Sequence, residues 1–326
     1  MRGSGRIRKA CSLIRRQFKP GAVVLMYHRV TNLARDPYQL AVSPAHFAQQ
    51  LEHLKRTCTV MPLIDLIEAL QAKALPPRAA AITFDDGYID NRLEAYPLLK
   101  AAGLPATIFV ASGSIDTTRE FWWDDLDRII SLPDRVPAHL LLRVQDRTYE
   151  WPTATTEQRA AAQRALHAVL HPQAIAVREQ AVEQLCQWAG VDRDGRPDYR
   201  VITDAQLKEI AADSLIDIGG HTVNHPSLAA LTREEQAAEI THGREMLEAR
   251  LGKPIRTFAY PYGTRRDYTP ETAALVRTAG FRAACTTVHG SVEIGDDLFT
   301  LRRTAVFNWD AAFFAQQLES FFIARA

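Results

Sequence analysis

Two short stretches carry residue types whose spacing could do chemistry. In TFDDGY (83–88), Asp85 and Asp86 follow an apolar, β-branched run ending in Ile82, Thr83 and Phe84, and Gly87 lets the chain turn away. Neighbouring carboxylates raise one another's pKa unless a cation or a division of labour separates them. Asp-Asp-Gly is also ordinary turn chemistry, because Asp hydrogen-bonds its own backbone and Gly takes positive φ. The second stretch, GGHTVNHPSL, sets His221 and His225 four apart just after a strand candidate. On a helical turn both imidazoles would leave from one face. Two neutral imidazoles and a carboxylate form a common three-ligand set for a catalytic divalent metal with an open water position. Such a histidine pair is unremarkable alone; beside a strand-end Asp pair it predicts a metal site. One aspartate would ligate the ion and the other would take a proton from water whose pKa the ion lowers towards about 7. The cation also explains how both carboxylates stay ionised.

The elements that must position these groups alternate. AVVLMYHRV (22–30), AAAITF, PATIFVA, LIDIGG, RTFAY and FRAACTT read as strands. Between them lie helices such as PAHFAQQLEHLKRT, capped by Ser43 with Pro44 at its first position. TREEQAAEITHGREMLEARLG has a capping box of Thr232 and Glu235 and ends at Gly252. The alternation predicts an α/β fold of parallel βαβ units, in a barrel or an open sheet, with sites at strand ends. The section from about 133 to 200 breaks the rhythm and reads as a helical insertion beside the catalytic face. FWWDDLDRII, just before it, offers Trp122 and Trp123, read as packing against the barrel rather than stacking on a ligand.

Composition excludes several classes. A net charge of +1, without an aromatic-basic pattern, argues against a nucleic-acid partner. The four cysteines are scattered without C-x-x-C spacing, against a disulfide framework or a thiolate zinc site; reduced cytosolic thiols fit better. Residues 1–35 hold nine Lys or Arg and no acid before Asp36, which marks 1–21 as a basic leader. Arg15 and Arg16 interrupt any signal-peptide core, and no apolar run is long enough to span a bilayer. The expectation is a cytoplasmic protein whose leader is either a solvated tail or a peripheral contact with the anionic inner face of a membrane.

TFDDGY, HTVNHP (221–226) and TFAYPYG (257–263) together resemble the three motifs of the polysaccharide deacetylases, the NodB-homology or carbohydrate esterase 4 family. The second of these fits the pattern H-[ST]-x-x-H-P. The resemblance runs from about residue 22 to 310, the insertion excepted, which gives a deacetylase domain over 22–326 interrupted at about 133–200. It implies a distorted (β/α) barrel, one divalent metal ion (usually Zn2+), and hydrolysis of N-acetyl groups from an amino sugar. That sugar would belong to a polysaccharide or to a lipid- or nucleotide-linked precursor. By the same resemblance Asp85 is the general base, Asp86, His221 and His225 are the metal ligands, and Tyr262 lends its backbone N–H to the oxyanion. Two departures stand out. Ala259 occupies the place where many members carry an Arg that pairs with the base; Arg302 or Arg303, and less readily Arg256, would have to supply that charge. No His follows His289, so the family's C-terminal acid is missing. LMYHRV resembles the circularly permuted exopolysaccharide-deacetylase type, which makes His28 the candidate acid. The rival readings are a catalytically impaired carbohydrate-binding protein on the same fold and a metal-dependent phosphoesterase.

Overall fold

Near-continuous apolar runs such as GAVVLMY, AAAITF and ATIFV have no solvent face, and parallel strands covered on both sides read this way. Seven of them close into a parallel barrel: β1 (Gly21–Tyr27), β2 (Ala79–Phe84), β3 (Ala106–Val110), β4 (Ile216–Gly220), β5 (Thr257–Ala259), β6 (Ala283–His289) and β7 (Leu301–Ala305). The order is β1-β7-β6-β5-β4-β3-β2, and β2 pairs back onto β1 from Val23↔Ala80 to Tyr27↔Phe84. The ring is uneven, since β5 meets β4 only at Phe258↔Gly220. The computed structural model describes residues 21–131 and 136–323, so the basic leader, Gly21 apart, lies outside the described residues. Among those residues no helix is long and apolar enough to cross a membrane.

Side chains alternate between the two faces of each strand. Ala22, Val24, Ala79, Ala81, Phe109, Ala259, Ala283, Cys285 and Leu301 gather in one cluster with the helix Leu63–Gln71; the small residues suit the narrow interior of a seven-strand ring. Val23, Leu25, Tyr27, Ile82 and Phe84 belong to the larger cluster shared with the outer helices. Local signals act as their chemistry dictates. The Ser43 hydroxyl accepts from the His46 N–H at the start of helix Pro44–Thr57. Thr232 and Glu235 close a capping box on Arg233–Leu251, and Gly252 ends that helix at φ 65.

The long excursion between β3 and β4 contains more than helices. Trp122–Leu126, Thr156–Leu170 and Ile175–Ala189 are helical, but His139–Val144 and Arg147–Pro152 form an antiparallel hairpin. In HLLLRV, Leu140, Leu142 and Val144 are buried and their neighbours exposed, a period of two that a helical reading passes over. The Trp188 indole N–H donates to the His139 carbonyl (2.9 Å), which ties the hairpin to the Ile175–Ala189 helix. The return loop is held by buried carboxylates: Asp125 pairs with Arg128 (2.8 Å) and Arg193, and Glu120 with Arg196 (2.7 Å).

Candidate active site

β2 delivers Asp85 to the top of the barrel. Arg303 on β7 meets it with both terminal nitrogens, at 2.7 and 2.6 Å, in a pair that is almost completely buried. Burial alone would raise the Asp85 pKa, but the Arg303 guanidinium outweighs it and holds the carboxyl below its usual range. The Arg303 Nε–H donates to the Thr286 carbonyl (2.9 Å) and Nη1 to the Thr83 hydroxyl (3.2 Å), so the fork is fixed from three sides. The missing third-motif cation thus comes from Arg303. Arg302 instead lies along Gly290, and Arg256 pairs with Asp217 (3.3 Å).

Asp86 sits in the left-handed region at φ 73, followed by Gly87 at φ 76. A Cβ on Gly87 would stand 3.0 Å from the Val110 side chain, so that position needs glycine for space as well as for conformation. After this double turn the Asp86 carboxylate meets the two histidines, while that of Asp85 meets Arg303. Its Oδ1 lies 3.4 Å from His221 Nε2 and 3.2 Å from His225 Nε2. Ligand atoms of these three buried residues lie within 4.8 Å of one another. Burial would raise the Asp86 pKa, but the hydrogen bonds from the two imidazoles drive it far below the ordinary carboxylate value.

The two histidines converge, though not on a helix. Residues 221–225 form an irregular turn with Thr222 at φ 66 and His225 at φ 52. The Thr222 hydroxyl accepts from the His225 N–H (3.0 Å), and the Glu239 carboxylate accepts from the N–H groups of Val223 and Asn224. These side-chain acceptors replace the hydrogen bonds a helix would have made. Gly243 lets the Arg233–Leu251 helix approach this turn, since a Cβ there would lie 2.8 Å from the Thr222 carbonyl carbon. His221 Nδ1 is 2.7 Å from the Ala259 carbonyl. With Nδ1 engaged by that carbonyl, Nε2 is the ring nitrogen left to face Asp86 and to meet an ion. His225 is enclosed by the rings of Tyr262 (4.6 Å between centroids) and Trp123 (4.8 Å), and its Nδ1 has no hydrogen-bond partner among the described residues. Burial pushes its pKa down to about 4, so it is a neutral imidazole, the form a metal ion takes.

Tyr262 follows β5 at φ 57. Its carbonyl accepts from the Thr287 hydroxyl (2.6 Å), while its own N–H has no acceptor among the described residues. His28 follows β1 and lines the same cavity, of about 120 Å³, as Asp85, Asp86, His221, His225 and Tyr262. The structure therefore brings all six residues singled out in the sequence to one place. It adds Tyr38, Trp123, His167 and Thr287 to the lining. His167 comes from the inserted Thr156–Leu170 helix, and no motif marks it. Burial, then the neighbouring His171, lowers its pKa to about 4. A wider groove continues from the cavity past His28, His167 and Tyr262 towards His171 and Asp267, which pair at 3.1 Å.

This arrangement can hold one divalent ion, keep a carboxylate ionised beside it, and present an unpaired backbone N–H. Comparison with known proteins agrees. The polysaccharide deacetylase family profile matches residues 72–284. The Bacillus subtilis (strain 168) protein YxkH, which its name places among polysaccharide deacetylases, is 21% identical over 285 residues, 87% of this chain and 70% of its own. Among solved structures, the Streptococcus pyogenes deacetylase PplD, in complex with acetate, superposes with a TM-score of 0.61 at 20% identity, over 92% of this chain and 99% of that one. IcaB from Ammonifex degensii superposes with a TM-score of 0.61 at 22% identity, over 93% and 97%. The matched stretch contains TFDDGY, HTVNHP and TFAYPYG and covers more than half of the sequence: this chain belongs to the polysaccharide deacetylase family.

Proposed function

We propose that this chain is a metal-dependent hydrolase that removes N-acetyl groups from an amino sugar in a polysaccharide or its precursor. The observation that carries the reading is the convergence of buried Asp86, His221 and His225 beside an Asp85 that Arg303 keeps ionised. Two neutral nitrogens and one carboxylate oxygen suit zinc, with a coordination position left for water. A divalent cation held there would supply an acidified water and a Lewis acid for the acetyl carbonyl. The residues of the chain do the rest. Asp85 takes the proton from the attacking water, for which a carboxylate beside a cation is basic enough. The Tyr262 N–H donates to the oxygen that gains negative charge. His28, across the cavity, donates a proton to the departing nitrogen, which could not leave as an amide anion.

Release of acetate from an N-acetylglucosamine oligosaccharide, abolished by a chelator and restored by a divalent ion, tests the reading. Retention of every acetyl group in the metal-loaded protein, with the sugar still bound, would leave a carbohydrate-binding protein instead. Against that rival stands the intact set of Asp85, Asp86, His221 and His225 with its supporting hydrogen bonds.

A further inference from the structure

Tyr262 is gripped at both ends. At the backbone, Thr287 holds its carbonyl and the residue sits at positive φ, a conformation that a side chain with a Cβ adopts only when its surroundings impose it. At the far end of the ring, the hydroxyl accepts from the Trp122 indole N–H at 2.9 Å and from Arg178 Nη1 at 3.3 Å. Arg178 is 2% exposed and has no carboxylate partner among the described residues. Burying a cation without an acid is costly, so its place needs a reason. Its acceptors are the Tyr262 hydroxyl and, at 3.4 Å, the His225 carbonyl, both on the wall of the catalytic cavity. Both donors belong to the excursion between β3 and β4: Trp122 opens its first helix and Arg178 lies in the Ile175–Ala189 helix.

We infer that Trp122 and Arg178 are positioning residues, and that the inserted segment uses them to hold the strained Tyr262 backbone and its unpaired N–H in place. The chain of contacts is short. The donors fix the hydroxyl, the rigid phenol ring transmits that constraint past His225 and His171 (centroids at 4.6 and 4.2 Å), and the ring fixes the Cα. The consequence for turnover rests on the reading of the Tyr262 amide as the oxyanion donor. A displaced donor weakens the transition state more than substrate binding.

The test uses Arg178→Met, which keeps most of the volume, Trp122→Phe, which keeps the ring, and each combined with Tyr262→Phe. On an N-acetylated glucosamine oligosaccharide, each single variant should lower kcat by about 10- to 100-fold, the scale of a misplacement near 1 Å. KM and metal content should stay as in the wild type. Because the Trp122 indole N–H reaches Tyr262 through that hydroxyl alone, Trp122→Phe should not lower kcat further in the Tyr262→Phe background. A wild-type kcat in both single variants, or Trp122→Phe and Tyr262→Phe losses that multiply, overturns the inference. A second arm does not depend on turnover. In protein labelled with 15N-tyrosine, Tyr262→Phe assigns the Tyr262 amide resonance by its disappearance, and Arg178→Met or Trp122→Phe should shift that resonance selectively. An unmoved resonance overturns the inference. A wild-type protein that releases no acetate refutes the reaction, and the labelled arm then decides the positioning role by itself.

Discussion

Removing Arg303 should destabilise the fold far more than removing Arg303 and the charge of Asp85 together. The pair is buried, with the two side chains 0% and 3% exposed, and it is bidentate at 2.6 and 2.7 Å. Arg303→Met leaves an uncompensated carboxylate, which costs about 3–5 kcal/mol in comparable sites. It also orphans the Thr286 carbonyl, for a further ~1–3 kcal/mol. Asp85→Asn strands the guanidinium at a similar cost of about 3–5 kcal/mol. In the double variant both charges are gone, so only the orphaned carbonyl and imperfect packing remain. At about 2–4 °C per kcal/mol, Arg303→Met should lower Tm by roughly 8–30 °C, and the double variant should recover more than half of that. Thermal unfolding at neutral pH with excess chelator is the assay, so that no metal contributes. The sign of the pH dependence follows from the same geometry. Without its cation, burial raises the folded-state pKa of Asp85 above its unfolded value, so the Arg303→Met deficit should shrink as pH falls towards the carboxylate range. A double variant as unstable as the two single losses summed would show that the charges are not coupled.

Three further outcomes check the site. Purified protein should carry close to one divalent ion per chain by elemental analysis, and His221→Ala or His225→Ala should lose it; full occupancy in the double His variant would refute the ligand set. Asp85→Asn should keep the ion while turnover falls by about 10²-fold or more, a typical general-base contribution; near-normal turnover would end the division of labour between the two aspartates. His28→Ala should lose most activity on an amide and less on an ester, whose alkoxide leaves with less help, and an unchanged amide-to-ester ratio would remove His28 as the acid.

What was legible in the sequence was what depends on local pattern. The strand runs, the Ser43 and Thr232 caps, and the Asp-Asp-Gly turn act through neighbours in the chain, and all appear where their chemistry placed them. Asp86, His221 and His225 could be read as a candidate metal set because each follows a strand at the same end of the barrel. The choice between Arg302 and Arg303 was not legible. It depends on which face of β7 points inward, and on a register between strands more than two hundred residues apart. The turn at 221–225 was misread for a related reason: four-residue spacing is helical only if the backbone keeps its own hydrogen bonds, and here Glu239, from a later helix, takes two of the N–H groups. The hairpin 139–152 hid inside a section whose Ala- and Gln-rich helices set its overall appearance.

The two departures from the family motifs have one topological cause. In a closed ring there is no first or last strand, and a side chain's place at the top is set by its position around the ring. β1 stands between β2 and β7, and both of its neighbours contribute to the buried ion pair: Asp85 follows β2 and Arg303 lies on β7. An arginine displaced from the third motif, on β5, can return on β7 and still reach the same carboxylate from inside the barrel. A histidine absent from the C-terminal end can return after β1, next to that same β7, and still face the cavity. Motif order along the chain is therefore a weaker guide to this site than strand order around it.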